Sequence, residues 1–464
     1  MNPFTFAQRR HLLRQQVAGG AIVLFANGPA PRNYPRNTYP FRQDSHFLYY
    51  TGIDAADVAL IVFQGGEAVL YGDAPSADSL IWSGPGPEPA DLARAAGIER
   101  VEPASALEGA LARLQAAGEP IRWLPPVRAE RTLWLCRLLG MSPAQVSEQA
   151  DRALARAVVE QRARKSDEEV AQIEAAISVS KDMYDAALAV MGPGATEAAV
   201  RSAMEAVALA RNLSSAFAPI VTVRGEILHN ERCENTLAQG DLLLIDTGVE
   251  MPPFAYCSDI TRTFPVGGAF DARQKMVYAA VLRAQELAIA AASPEVSNRD
   301  VHRIACRALV DGLQAMGLMK GDPDEAVQQG AHALFFPHGI GHMLGIDVHD
   351  MEDLGDAVGY PEDEGRSGQF GLSYLRLAKA LQPGFVITVE PGLYFIPALV
   401  GMWRAKRRHD SFINYDEAEK FLGKGGVRIE DDILITADGC RVLGPPILKS
   451  IDDIEQRMKQ TRGD

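Results

Sequence analysis

The chain has 464 residues, 47% hydrophobic and 23% charged, an ordinary balance for a soluble globular protein with length for two to three domains and a sizeable core. Its 60 Asp and Glu against 46 Lys and Arg leave a net charge of -14, which argues against a nucleic-acid-binding surface, because phosphate binding needs clustered cations. The N-terminal stretch lacks an apolar core and no run reaches eighteen apolar residues, so the expected setting is cytoplasmic, without a membrane partner.

Residues 4–17 place Phe4, Phe6, Leu12 and Leu13 among polar neighbours, a short amphipathic helix, and Gly19-Gly20 leads into the strand-like run Ala21–Phe25. The segment from Tyr39 to Gly52 carries aromatics that suit either a core or a cleft wall. Ala59–Phe63 and Ala68–Tyr71, joined by Gln-Gly-Gly-Glu, read as a β-hairpin. Gly84-Pro-Gly-Pro-Glu-Pro89 is a loop, since its glycines and prolines continue neither regular element. Helical periodicity covers about 90–117 and about 128–140, and residues 1–160 are expected to form an amino-terminal α/β domain. Ser166, with Glu169 three residues on, opens a charged helix that runs to about Met191. Residues 161–464 make the second expected domain.

Five cysteines, Cys136, Cys233, Cys257, Cys306 and Cys440, are odd in number and show no CxxC spacing, as in an enzyme with reduced thiols rather than a disulfide framework. Cys257 stands two residues before an acid of interest and reads as a small apolar filler.

Chemistry concentrates in the second domain. Gly240-Asp-Leu-Leu-Leu-Ile-Asp246-Thr-Gly248 is an apolar strand delivering a carboxylate to a glycine turn, and Cys257-Ser-Asp259-Ile-Thr-Arg-Thr-Phe264 is a second strand with an acid at its start. Gly384, Glu390 and Gly392 repeat the spacing of Gly240, Asp246 and Gly248, and Gly426-Val-Arg428-Ile-Glu430 offers another acid on a strand, as Asp259 does. The repetition implies two related halves, each giving two carboxylates to a common centre. Between the two later elements and the earlier ones, Phe336–Asp350 gathers His338, His342 and His349, three of the nine histidines, among glycines. Such a cluster suits one ring that ligates and others that handle protons. Four carboxylates and one imidazole favour Mn²⁺ or another hard to borderline divalent ion over a sulfur-rich zinc site, and the count suits two ions sharing acids.

In the settings Ile-Asp-Thr-Gly, Asp-Ile-Thr-Arg-Thr-Phe-Pro, His-Gly-Ile-Gly-His, Val-Glu-Pro-Gly-Leu-Tyr and Arg-Ile-Glu-Asp-Asp, residues Asp246, Asp259, His342, Glu390 and Glu430 resemble the five metal ligands of the pita-bread metallopeptidases. Within that group the chain is similar to the Xaa-Pro peptidases, aminopeptidase P and prolidase, and Tyr39-Pro-Phe-Arg-Gln-Asp-Ser with Tyr50-Thr-Gly52 resembles their amino-terminal domain. The resemblance implies an amino-terminal creatinase-like α/β domain followed by a pita-bread α+β catalytic domain with two pseudo-symmetric halves. It implies two divalent ions, Mn²⁺ first with Zn²⁺ or Co²⁺ as alternatives, and water attack on the carbonyl before proline in peptides with proline second. By the same resemblance Glu390 is both ligand and general base. His229 and His349 contact the substrate and stabilise the tetrahedral intermediate, His338 lies near the leaving side, and Arg428 stands behind the ligands beside Glu430. A homodimer or homotetramer is also implied.

Two features depart from that pattern. The loop containing Met251-Pro-Pro253 is longer by a couple of residues than the usual connection between the first two acids. The interval from Glu390 to Glu430 carries an insertion at about 396–425, whose charged run Trp403–His409 reads as a solvated surface excursion. Arg376 resembles the prolidase residue that takes the substrate's free carboxylate, while on a helical reading it is an exposed surface arginine. An Xaa-Pro aminopeptidase is therefore the first expectation and a prolidase acting on dipeptides the second. A non-catalytic pita-bread binding protein or a metal-free creatinase-like hydrolase is remote, because those readings predict lost ligands.

Overall fold

The computed structural model describes residues 1–462, which belong to two compact units. The first comprises Met1–Arg162 with the short segments Pro253–Ala255 and Met351–Ala357; the second comprises Ala163–Pro252, Tyr256–Asp350 and the chain from Val358 onward.

In the first unit the Asn2 side chain accepts from the Phe4 and Thr5 amides and opens the helix Pro3–Gln16, with Pro3 at the position where a missing N–H costs nothing. A five-stranded sheet runs in the order Arg100–Glu102, Ala68–Tyr71, Ala59–Val62, Ala21–Phe25, Ile121–Arg122. Its three central strands are antiparallel, including the expected hairpin, and the outer two run parallel to their neighbours. Val23, Ile61 and Val69 pack against Leu111 of the helix Ala106–Ala116; each such buried aliphatic side chain contributes about 1.5–3 kcal/mol. The aromatic segment divides: Phe47, Tyr49 and Tyr50 are buried, whereas Tyr39 and Phe41 are exposed.

The helical periodicity expected over about 90–117 is broken in the structure. Helices Pro89–Ala95 and Ala106–Ala116 flank the strand Arg100–Glu102. Gly97, at φ +66°, turns the chain out of the first helix, and parallel pairing of Arg100–Glu102 with Ala68–Tyr71 outweighs local helical preference.

The second unit repeats one order of elements twice. The helices Asp167–Val190 and Glu197–Leu209 precede an antiparallel sheet of Ile260–Pro265, Leu242–Thr247 and Ile220–Thr222. The helices Ala272–Ala291 and Asn298–Ala315 precede a second, of Val386–Val389, Asp431–Ile435 and Cys440–Val442. The Ser166 amide donates to Glu169 Oε2 at 3.0 Å, closing the capping box of the first long helix. Leu242–Thr247 is buried along its whole length, which is why it reads as a continuous apolar run rather than an alternation. Tyr184 seats the long helix on that sheet by donating to the Ile260 carbonyl at 2.7 Å. The two sheets meet where the Glu430 amide donates to the Thr261 carbonyl at 3.0 Å. This is the two-halved arrangement that the repeated acid spacing implies, and the α+β class that the family resemblance implies.

The insertion at 396–425 is not the solvated excursion expected of its charged run. It folds into helices Pro397–Ala405 and Tyr415–Glu419, and Trp403 is buried edge-on to Phe370, ring centroids 5.7 Å apart, with the Arg408 guanidinium 4.3 Å above it. The apolar area of the indole decides the position of the run, and Arg404, Lys406 and Arg407 project outward from it.

Candidate metal centre

Asp246 lies in the strand Leu242–Thr247, opposite Thr261. Asp259 sits just ahead of Ile260–Pro265, where its amide donates to Asp432 Oδ2 at 3.1 Å. Glu390 directly follows Val386–Val389, and Glu430 occupies the step between Gly426–Arg428 and Asp431–Ile435. His342 arrives on a segment without regular structure. The Thr388 amide donates to the His342 carbonyl, the Glu390 amide to Ile340 and the Leu344 amide to Val386, which lays residues 340–344 along the strand carrying Glu390. Gly341 permits that approach, since a Cβ there would collide with the Thr388 carbonyl.

These elements aim five side chains at one place. Donor atoms of Asp259, His342 and Glu430 lie within 4.8 Å of one another. His342 Nε2 is 3.4 Å from Asp259 Oδ2 and 3.9 Å from Glu390 Oε1. Its Nδ1 faces the Met343 carbonyl at 3.0 Å, so that nitrogen carries the proton and the Nε2 lone pair points toward the acids. Thr261 Oγ1 donates to Glu430 Oε2 at 2.7 Å. Arg428 Nη2 donates to Asp246 Oδ2 at 2.5 Å and Nη1 to the Tyr394 hydroxyl at 3.0 Å, and that hydroxyl lies 2.8 Å from His338 Nε2. Arg428 thus braces Asp246 directly, rather than Glu430 beside it in sequence. Asp246, Asp259, His342, Glu390, Glu430 and Arg428 all line a cavity of about 820 Å³. His229, His338, His349 and Arg376 line it too.

Burial governs the electrostatics. It pushes Asp259 well above the usual carboxylate range, with Asp246 adding repulsion and Arg428 opposing. Glu430 is raised likewise by burial, then by Asp259 and Glu390. Glu390 rises to about 7, burial outweighing the pull of His342 and Arg428. Burial lowers His338 to about 3 and His349 to about 2, so both rings are neutral across the neutral range. Asp246 Oδ1 is buried without a hydrogen-bond partner. Crowded buried carboxylates with an unpartnered oxygen, an imidazole lone pair aimed among them and no sulfur donor fit divalent cations of the hard to borderline class.

Sequence reasoning assigned no part to Tyr394, Thr261 or Asp432. Tyr394 closes the Val-Glu-Pro-Gly-Leu-Tyr run, but its contact with Arg428 depends on the pairing of Gly392–Tyr394 with Gly426–Arg428. Arg376 is not on a helix: it follows the short 3₁₀ turn Leu372–Tyr374 and is half-buried at the cavity. The insertion supplies Ile396, Ala398, Leu399 and Met402 as an apolar part of the cavity wall.

Residues 171–437 match Metallopeptidase family M24. The chain belongs to that family. Residues 6–122 of the peptidase match the Aminopeptidase P, N-terminal domain. The Xaa-Pro dipeptidase of Homo sapiens is 31% identical over 452 residues, covering 95% of this chain and 89% of that protein. Pseudomonas aeruginosa aminopeptidase PepP superposes with a TM-score of 0.81 at 28% identity, over 100% of this chain and 99% of that one. Escherichia coli aminopeptidase P with the inhibitor Pro-Leu gives a TM-score of 0.81 at 29% identity, over 100% of both chains. The protein is a divalent-metal-dependent, dinuclear metallopeptidase of the aminopeptidase P type. Among the described residues no helix is long and apolar enough to cross a membrane.

Proposed function

We propose that the protein is an Xaa-Pro aminopeptidase, in which Asp246, Asp259, His342, Glu390 and Glu430 hold two divalent cations, Mn²⁺ the preferred pair. When bound, the cations supply Lewis acidity toward water and the scissile carbonyl. Glu390, at the cavity and 3.8 Å from His338 Nδ1, takes a proton from the attacking water and returns it to the leaving prolyl nitrogen. His229 and His349 line the same cavity and donate hydrogen bonds to the substrate carbonyl as it gains negative charge. His338, held by the Tyr394 hydroxyl, stands on the leaving side. Arg428 fixes Asp246 and Tyr394 together, and the apolar wall of Phe217, Ile396 and Met402 receives the pyrrolidine ring.

The observation that carries this reading is the convergence of four carboxylates and one imidazole on an open cavity. The deciding assay sets a tripeptide with proline second beside its alanine counterpart, on chelated protein resupplied with Mn²⁺. Mn²⁺-restored cleavage of the proline peptide alone is expected. Inactivity on both with Mn²⁺, Zn²⁺ and Co²⁺ sinks the proposal.

A prolidase reading is favoured by one observation, the position of Arg376 in the cavity wall, where a guanidinium can take a dipeptide's carboxylate. Strong preference for Gly-Pro over the tripeptide would install it, and Arg376→Ala would then raise KM for the dipeptide. The free cysteines support a cytoplasmic setting. A homodimer or homotetramer completes the proposal, and sedimentation at assay concentration tests it.

A further inference from the structure

The second unit holds another group of metal-binding side chains, built without carboxylates. His302 and Cys306 lie one turn apart on the helix Asn298–Ala315, so their side chains share one face, with Cys306 Sγ 3.4 Å from His302 Nε2. His332 reaches them from the 3₁₀ turn Ala331–Leu334, which Gly330 enters at φ +78°. One donor atom from each of the three lies within 4.8 Å of the other two. The residues are sealed in the core, at 1%, 0% and 2% exposure for His302, Cys306 and His332.

Two observations set this group apart from an ordinary buried cluster. Neither ring nitrogen of His332 has a hydrogen bond of normal geometry, although the ring is almost wholly buried. The Ala326 backbone lies near enough to act on the ring, and one ring nitrogen is within 4.8 Å of donor atoms of both His302 and Cys306. Secondly, burial keeps both imidazoles unprotonated, His332 near 4 and His302 well below its ordinary value, so their lone pairs are available at neutral pH. Burial raises the Cys306 thiol, and a bound cation is what would hold its thiolate there.

We propose that His302, Cys306 and His332 form a second metal site, closed and structural, for a thiophilic closed-shell ion, Zn²⁺ or Cu⁺. The ligand set of one sulfur and two imidazole nitrogens matches those ions and differs from the oxygen-rich catalytic set. Binding releases the thiol proton to solvent, and one thiolate balances a monovalent ion, whereas Zn²⁺ leaves one positive charge in the core. Charge balance thus favours Cu⁺ of the two.

The test uses spectroscopy on the intact, reduced protein, because a thiolate–metal charge-transfer band in the ultraviolet has no source in a carboxylate–imidazole centre. Chelated protein is titrated with Co²⁺, as the probe for the zinc-like mode, and separately with Cu⁺. A band appearing with either ion is expected, lost in Cys306→Ala and weakened at least tenfold in apparent affinity in His332→Gln. It should persist in Asp259→Asn, which damages only the other centre. Competition of Zn²⁺ against Co²⁺ and of a Cu⁺ chelator against Cu⁺ separates the two ions. Absence of a band with both ions, or a band unchanged in Cys306→Ala, overturns the site. Should Cys306→Ala fold poorly, X-ray absorption of the metal-loaded wild-type protein still decides: one sulfur neighbour is required.

Discussion

The carboxylate cluster around His342 and the imidazole–thiol cluster around Cys306 are both buried in the second unit, and burial moves their protons in opposite senses. Asp259, Glu390 and Glu430 are raised, so the folded chain binds protons there more tightly than the unfolded chain. Their contribution to stability is present at low pH and falls as pH rises from the ordinary carboxylate range, reaching about 7 for Glu390. His302 and His332 are lowered, so the folded chain binds protons less tightly. Their contribution is complete above the ordinary histidine value and is lost as pH falls toward about 4 for His332. Acids crowded together call for hard cations; neutral rings beside a thiol call for soft ones.

Removing divalent ions is the strongest way to test the first half of that comparison: chelation should abolish peptide cleavage and added Mn²⁺ should restore it, as read by release of the N-terminal residue. Glu390→Gln should then lower kcat by about 10²–10⁴-fold while the circular dichroism spectrum stays unchanged; full activity would remove Glu390 from its proposed part. Arg428→Met should weaken metal affinity by about 10–100-fold, because Asp246 loses the group that orients it, measured by metal titration of activity. The opposition between the two centres is itself open to measurement in chelated protein. Asp259→Asn should raise the melting temperature at pH 7.5 more than at pH 5, and His332→Gln should flatten the loss of stability below pH 6.5; the same pH trend in both variants would break the comparison. Smallest of all, Tyr394→Phe removes one hydroxyl shared by Arg428 and His338 and should cost about 0.5–1.5 kcal/mol in stability, seen in denaturant melts.

The acids were legible because Asp246 and Glu390 share one spacing from flanking glycines and Asp259 and Glu430 each open a strand, patterns that need only local sequence. Gly341 shows why the histidine segment is glycine-rich: it lies against the Thr388 backbone. The supporting bonds were not legible in the same way. Arg428 meets Asp246 across 182 residues and Thr261 meets Glu430 across 169, so no window of sequence holds both partners. The strand Arg100–Glu102 is three residues long, too short to show an alternation, and only its edge pairing reveals it. Trp403 was hidden by its own neighbours, since the charges around it describe the exterior of a helix whose interior face carries the indole. Cys306 looked isolated because its partners are histidines, one of them a helical turn away and the other on a different element.

The junction of the two sheets at Thr261 and Glu430 also has a meaning for biosynthesis. A nascent chain that has emerged only through Asp259 owns half of the acids and neither the histidine segment nor Glu390. On the proposed assignment it therefore lacks three of the five side chains that would hold the cations. The contact that joins the halves spans 169 residues, so its loop-closure entropy has to be met before the full set of side chains can assemble.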